Sequence, residues 1–99
     1  MSRFDLHKAS VGDGYLLDLQ ADHLEPQGTR MIAPVLPEDQ VPDRARLLHP
    51  VIEIAGARYL LVTHLMGAVP KTALREPVAN LSDQADDFTR AMDILFQGY

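Results

Sequence analysis

The chain has 99 residues, 46% of them apolar and 23% charged, with a formal net charge of −5 and no cysteine. Those values are ordinary for one globular domain and exclude disordered or collagen-like chains, disulfides and thiol nucleophiles. No apolar run approaches the ~18 residues of a membrane span, and the opening residues lack the apolar stretch of a secretory signal. We therefore expect a cytoplasmic protein without a membrane partner, and its acidic balance disfavours direct binding of DNA phosphates.

The first four fifths of the chain are divided by seven prolines into short segments, which favours strands over helices. Alternation of apolar and polar residues predicts strands over 4–7 and 15–21, joined by a glycine-containing turn. A third strand is predicted over 30–36, where Pro34 indicates an edge position or a bulge. Residues 37–47 are rich in proline and charge and are predicted to form a long loop.

The clearest predicted hairpin comes next, with strands over 51–54 and 59–63 around a turn centred on Gly56. Two further short strands are predicted over 66–74 and 77–81.

The final segment has the period of a helix rather than a strand. Ser82 is the predicted N-cap, Gly98 is placed to close the helix, and Asp86 and Arg90 have the spacing of a helical ion pair. One apolar stripe follows from Ala85, Phe88, Met92 and Leu95. Many strands followed by one helix predict a mainly β or α+β fold rather than alternating α/β.

Catalytic and metal-binding signals are missing from the sequence. It contains no phosphate-binding glycine motif and no nucleophile elbow, so we expect no catalytic residue, no cofactor and no enzyme activity. The four histidines lack metal-ligand spacing and are interpreted as surface or edge-strand residues, without a metal site; they are His7, His23, His49 and His64.

Two aromatic residues lie among the last four positions, where chain ends normally fray. Either this end packs into the core or against a second subunit, or it is a contact surface, and the two interpretations are compatible.

Several stretches and the ending Phe96-Gln97-Gly98-Tyr99 follow one family's pattern in the same order along essentially the whole chain. The stretches are residues 18–22, 28–36, 48–54, 69–70 and 78–82. In these residues the chain resembles the CcdB family of toxins from toxin–antitoxin pairs.

The resemblance implies a single toxin domain over 1–99 with an SH3-like barrel: a five-stranded antiparallel sheet, a small second sheet and one C-terminal helix. It implies a homodimer that binds the A subunit of DNA gyrase, a topoisomerase, and traps the cleaved-DNA complex. It also implies a type II pair with a CcdA-like antitoxin, a role in plasmid maintenance, and transcription regulation in which operator DNA is bound only through the antitoxin complex.

Carried over by position, the resemblance places gyrase contact at His23, Leu24, Asp93, Phe96, Gln97, Gly98 and Tyr99. The chain departs from the best-known members at three of these positions. Those members have Trp where this chain has Gln97, Asn where it has Asp93, and an aliphatic residue where it has Tyr99.

Two alternatives remain beside a gyrase poison. One is a protein of the same fold that has lost poisoning and acts in antitoxin binding and operon autoregulation. The other is a ribonuclease toxin on a similar barrel, which the net charge of −5 disfavours because such enzymes hold RNA with basic groups.

Overall fold

The computed structural model describes residues 2–10, 12–24 and 27–98, and within them the chain forms seven strands and one α-helix. The strands are β1 (Asp5–Lys8), β2 (Tyr15–Asp18), β3 (Thr29–Pro37), β4 (Val51–Ile54), β5 (Ala57–Leu61), β6 (Gly67–Pro70) and β7 (Pro77–Asn80), and the helix is α1 (Ala85–Gln97). Short 3-10 turns lie at Asp22–Leu24, Glu38–Gln40, Thr63–Leu65, Lys71–Ala73 and Ser82–Gln84.

The strands form one antiparallel sheet in the order β4-β5-β3-β2-β1-β7, and β6 pairs with the first half of β3. The sheet curls into a half-barrel, and α1 packs against it at the end of the chain. The predicted class, a mainly β fold with an antiparallel sheet and one C-terminal helix, is confirmed.

Pro34 lies inside the sheet, so the prediction of an edge position or bulge is wrong. Its register partner is Leu16 on β2, and its carbonyl accepts the backbone N–H of Val62 at 2.8 Å. The other side of β3 changes partner here, because Ile32 still pairs with β6 whereas Val35 already pairs with β5. The missing N–H of Pro34 therefore faces the junction between two strands, where no ladder hydrogen bond is lost.

The predicted hairpin is confirmed as β4 and β5. Its two turn residues, Ala55 and Gly56, have φ values of +52° and +81°. Positive φ at both central positions gives the turn the twist that suits a two-residue hairpin.

Helix α1 turns the predicted stripe toward the sheet, with Phe88 buried and Ala85, Met92 and Leu95 half-buried. Its N-cap is Gln84 rather than Ser82, so the helix begins two residues later than expected. The predicted pair of Asp86 with Arg90 is not formed. Phe88 and Ala91 are fully buried, and the ring of Phe88 lies 5.3 Å from that of Phe4. Ser82 starts a 3-10 turn and makes no side-chain cap. Gly98 ends the helix as predicted, with φ +80° and its N–H donating to the carbonyl of Ile94 at 2.9 Å.

Candidate protein-binding surface

The end of α1 presents an exposed aromatic side chain flanked by polar ones. Phe96 is 70% exposed, the largest exposed fraction of any large apolar residue in the described part of the chain. Asp93 and Gln97 are also exposed. Asp93 lies three residues before Phe96 and four residues before Gln97, so both are its neighbours on the helix surface. Phe96 is therefore not part of this chain's core, and Tyr99 lies outside the described residues.

The 3-10 turn Asp22–Leu24 presents the other two residues assigned from the resemblance. His23 is exposed, and Leu24 is 39% exposed. The side chain of Gln20 ties this turn to β3: its Nε2 donates to the carbonyl of Leu24 at 3.3 Å, and its Oε1 accepts the N–H of Met31 at 3.0 Å. The turn is thus held in place from the sheet behind it.

A buried ion pair next to the turn bonds the backbone of Gln20 at both its N–H and its carbonyl. Arg30 Nε lies 2.8 Å from Asp18 Oδ2, and both side chains are fully buried. Asp18 Oδ1 accepts the N–H of Gln20 at 3.0 Å, and Arg30 Nη2 donates to its carbonyl at 3.3 Å. This pair positions the turn, because each charge is used to bond the same peptide segment.

The sequence does not predict this pair. The strand register indicates the pair: Asp18 lies opposite Ile32 on β3, and Arg30 comes two residues before Ile32. Residues two apart share a face, so the register puts both charges on one side of the sheet.

The structure brings Asp93, Phe96, Gln97 and Gly98 together at one helix end, and His23 and Leu24 together on one turn. Among the described residues, no hydrogen bond or ion pair joins the turn to the helix end. A comparison with known protein families matches residues 3–98 to the family described as CcdB protein.

The chain belongs to the CcdB family. The match spans nearly the whole sequence and includes every residue assigned to the candidate surface except Tyr99. As a CcdB-family protein, the chain is a toxin of a toxin–antitoxin pair, and the family is not a known family of enzymes.

The described residues were compared with the requirements of a metal site and of a membrane-spanning helix. Within 2–10, 12–24 and 27–98, no group of three or more His, Cys, Asp or Glu side chains is arranged to hold a metal ion. The same part of this CcdB-family chain contains no helix with the length and apolar character needed to cross a bilayer.

Two of the four histidines are buried, so their interpretation as surface or edge-strand residues is wrong. His7 is fully buried on β1, between β2 and β7, and its Nδ1 lies 2.6 Å from the carbonyl of Arg75. His49 is 2% exposed. His23 and His64 are exposed as predicted.

His49 joins the loop before β4 to the turn after β5 in this CcdB-family fold. The N–H of Ala45 donates to His49 Nδ1 at 3.0 Å, and His49 Nε2 lies 2.9 Å from His64 Nδ1. Because Nδ1 of His49 accepts, we assign the proton to its Nε2, which donates to His64. Burial, with smaller effects of His64 and Arg44, lowers the pKa of His49.

Acidification is expected to destabilise the protein through His49. In the unfolded chain this group binds a proton below about its ordinary pKa of 6.5, whereas in the folded chain it does so only at lower pH. The unfolded state then holds more protons, so the free energy of unfolding falls as the pH drops below that value. Urea unfolding of the wild type and of His49→Gln, at about pH 7.5 and about pH 5.5, measures the effect.

The variant His49→Gln keeps an acceptor and a donor but does not titrate, so its loss of stability on acidification should be smaller. His23→Gln is the matched control at an exposed histidine and should behave as the wild type does. Equal pH dependence in His49→Gln and the wild type would contradict the assignment.

Proposed function

We propose that this toxin poisons DNA gyrase by binding its A subunit and holding the cleaved-DNA complex, and that a CcdA-like antitoxin neutralises it. The observation that carries the proposal is Phe96, a 70% exposed aromatic side chain on a helix end closed by Gly98. Its position is one of those that we expected, from the resemblance, to contact gyrase. Burying such a side chain at an interface contributes about 1.5–3 kcal/mol.

The departures at Gln97 and Asp93 change the chemistry of this contact. A Trp ring at position 97 would attract a gyrase arginine by a cation–π contact of about 0.5–2 kcal/mol, which the amide of Gln97 does not supply. The carboxylate of Asp93 lies one turn earlier on the same face and offers an arginine a charged partner instead. Recognition of a cationic side chain is thereby kept, with an ion pair in place of a ring.

Poisoning of this kind needs no catalytic residue in the toxin. A ligand that binds one state of an enzyme more tightly than the others raises the population of that state. A toxin that prefers gyrase with its DNA cleaved therefore prolongs the break, in the cytoplasm where gyrase works.

Expression in a sensitive host and in a host with a toxin-resistant gyrase A subunit tests the target. We expect growth arrest with persistent DNA breaks in the first host and normal growth in the second. Equal arrest in both hosts would rule out gyrase as the target.

We also propose that the toxin is a homodimer whose interface includes residues 95–99. Ile94 and Leu95 are half-buried beside the exposed Phe96, so the helix end offers apolar area that a second copy would cover. Analytical ultracentrifugation at micromolar concentration should show a dimer. A monomer alone at that concentration contradicts the proposal.

A second candidate function is supported by Gln97 and Asp93 themselves. If an ion pair of Asp93 with gyrase does not compensate for the missing Trp ring at position 97, gyrase poisoning is lost. The chain then still binds its antitoxin and acts in operon autoregulation, with operator DNA bound through the antitoxin complex. Purified toxin would then bind the antitoxin encoded by a neighbouring reading frame without stimulating DNA cleavage by gyrase. Cleavage by the purified wild type excludes this second function.

A further inference from the structure

The half-barrel has an open seam between its two outer strands. In the sheet order, β4 and β7 are the first and last strands, and among the described residues no ladder joins them. A cavity of about 370 Å³, the seam cavity, lies between them. Its volume is within the range of small-molecule sites, which occur in the mouths of β-barrels. The residues that line it include Leu6, Lys8, Tyr15, Ile54, Val78 and Leu81.

Most of the lining of the seam cavity is apolar. Leu6 belongs to the core and is 1% exposed, and the half-buried Ile54 and Leu81 pack against the same core. Val78, on β7, is 57% exposed. An apolar group bound here would contact the core side chains and would remove Val78 from water, which favours binding.

Lys8 brings an unpaired positive charge to the seam cavity. It comes two residues after Leu6 on β1, so its side chain lies on the inner face of the sheet. Its Nζ is 5.3 Å from the centroid of the Tyr15 ring, which also lines the cavity. In the part of the chain that the structure describes, no carboxylate is within ion-pair distance of Lys8.

Glu53 also borders the seam cavity, but its place in the sheet turns its charge toward another residue. Its neighbour on β4, Ile52, is fully buried in the core, so Glu53 lies on the outer face. Its register partner is Arg58 on β5, which therefore shares the outer face with it. An occupant of the apolar part of the cavity accordingly meets the charge of Lys8.

We propose that the seam cavity binds a small molecule with an apolar body and one carboxylate group. The carboxylate would lie at Lys8, and the apolar body would lie against Leu6, Ile54 and Val78. Charge complementarity favours an anion, because Lys8 has no acidic partner among the described residues. A nucleotide is disfavoured, because one lysine among apolar side chains supplies few donors for several phosphate oxygens. The inference goes beyond the proposed function and does not depend on gyrase binding.

Titration with phenylbutyrate, followed through the backbone amide signals in nuclear magnetic resonance spectra, tests the inference. Phenylbutanamide is the uncharged probe of the same shape, and phenylbutylamine is the cationic one. We expect phenylbutyrate to shift the signals of Leu6, Lys8, Tyr15, Ile54 and Val78, with a dissociation constant below about 1 mM. The amide should bind about tenfold more weakly, and the amine more weakly still because Lys8 repels it.

Lys8→Gln separates the charge from the shape of the cavity. It should weaken the binding of phenylbutyrate by about tenfold and leave the binding of the amide within about twofold of the wild type. A merely structural effect of the substitution would weaken both. Val78→Asn adds a polar group to the apolar lining and should weaken the binding of both probes.

Arg46→Gln is the matched control, since this exposed arginine lies outside the lining of the seam cavity and loses the same charge. It should leave the binding of phenylbutyrate within about twofold of the wild type. Circular dichroism of every variant checks that it is folded. The inference is overturned by no binding at about 10 mM phenylbutyrate, by equal binding of acid and amide, or by an equal loss in Lys8→Gln and Arg46→Gln.

Sedimentation of Val78→Asn separates a small ligand from a second copy of the chain. The same oligomeric state in this variant and in the wild type supports a ligand site. An oligomer in the wild type that dissociates in the variant assigns the seam to self-association and overturns the inference. Toxicity in the two gyrase hosts is a separate measurement, so a failure of the gyrase proposal leaves the ligand result intact.

Discussion

Replacing Phe88 with alanine is expected to lower the free energy of unfolding by about 3–5 kcal/mol. The side chain is fully buried and packs its ring against Phe4, whose ring centroid lies 5.3 Å away. Its removal takes away apolar contacts and leaves a cavity that the curled sheet and the helix fill only in part. Since the free energy of unfolding of a domain is about 5–15 kcal/mol, this loss is a large part of the stability. Urea or thermal unfolding followed by circular dichroism measures the change.

Thr89→Ala is the control, because it truncates an exposed side chain next to Phe88 on the same helix and outside the proposed dimer interface. Its effect on the free energy of unfolding should stay within about 0.5 kcal/mol. Equal destabilisation by the two substitutions would show that the buried face of α1 has been assigned incorrectly.

Deletion of residues 97–99 is expected to abolish gyrase-dependent toxicity while leaving a folded protein. The buried residues of α1, Phe88 and Ala91, lie upstream of the deletion, so the packing of the helix on the sheet is kept. The removed residues include three positions assigned to gyrase contact, and a few central side chains carry most of the binding energy of an interface. Growth inhibition and gyrase-mediated DNA cleavage, at matched soluble expression, are the measurements.

Gln97→Trp is the companion variant and should increase inhibition by restoring an aromatic face for a gyrase arginine. Leu65→Ala, a 55% exposed apolar residue after β5, is the control substitution and should keep wild-type toxicity. Toxicity of the deletion variant equal to that of the wild type would refute the site. No activity in the wild type, the deletion variant or Gln97→Trp would favour the regulatory function.

Local chemistry made several elements predictable from the sequence. The stripe through Phe88 has the helical period, Gly98 supplies the positive φ of a helix end, and Gly56 marks the hairpin turn. Each of these signals is contained within a few neighbouring residues. For the helix end the sequence left two compatible interpretations open, packing or a contact surface, and the structure shows that Phe96 is exposed.

Long-range pairing decided what could not be predicted. Pro34 is tolerated inside the sheet because two strands meet at its position, which no local pattern reveals. Burial of His49 depends on Ala45 and on His64 across the fold. In each case a local rule predicts an exposed or edge position. The fold instead accommodates the residue inside, because other segments tolerate the missing N–H of Pro34 or supply the hydrogen-bond partners of His49.

The buried pair of Asp18 and Arg30 separates the backbone path of the turn Asp22–Leu24 from the chemistry of its exposed side chains. Since the backbone of Gln20 is held from inside the sheet, the exposed side chains of His23 and Leu24 do not determine the path of the chain. They can vary with little effect on folding, as exposed positions without special backbone requirements generally do. Under the proposed gyrase contact, a toxin built this way can follow changes in its target by exchanging exposed side chains, while the buried ion pair preserves the backbone of the turn.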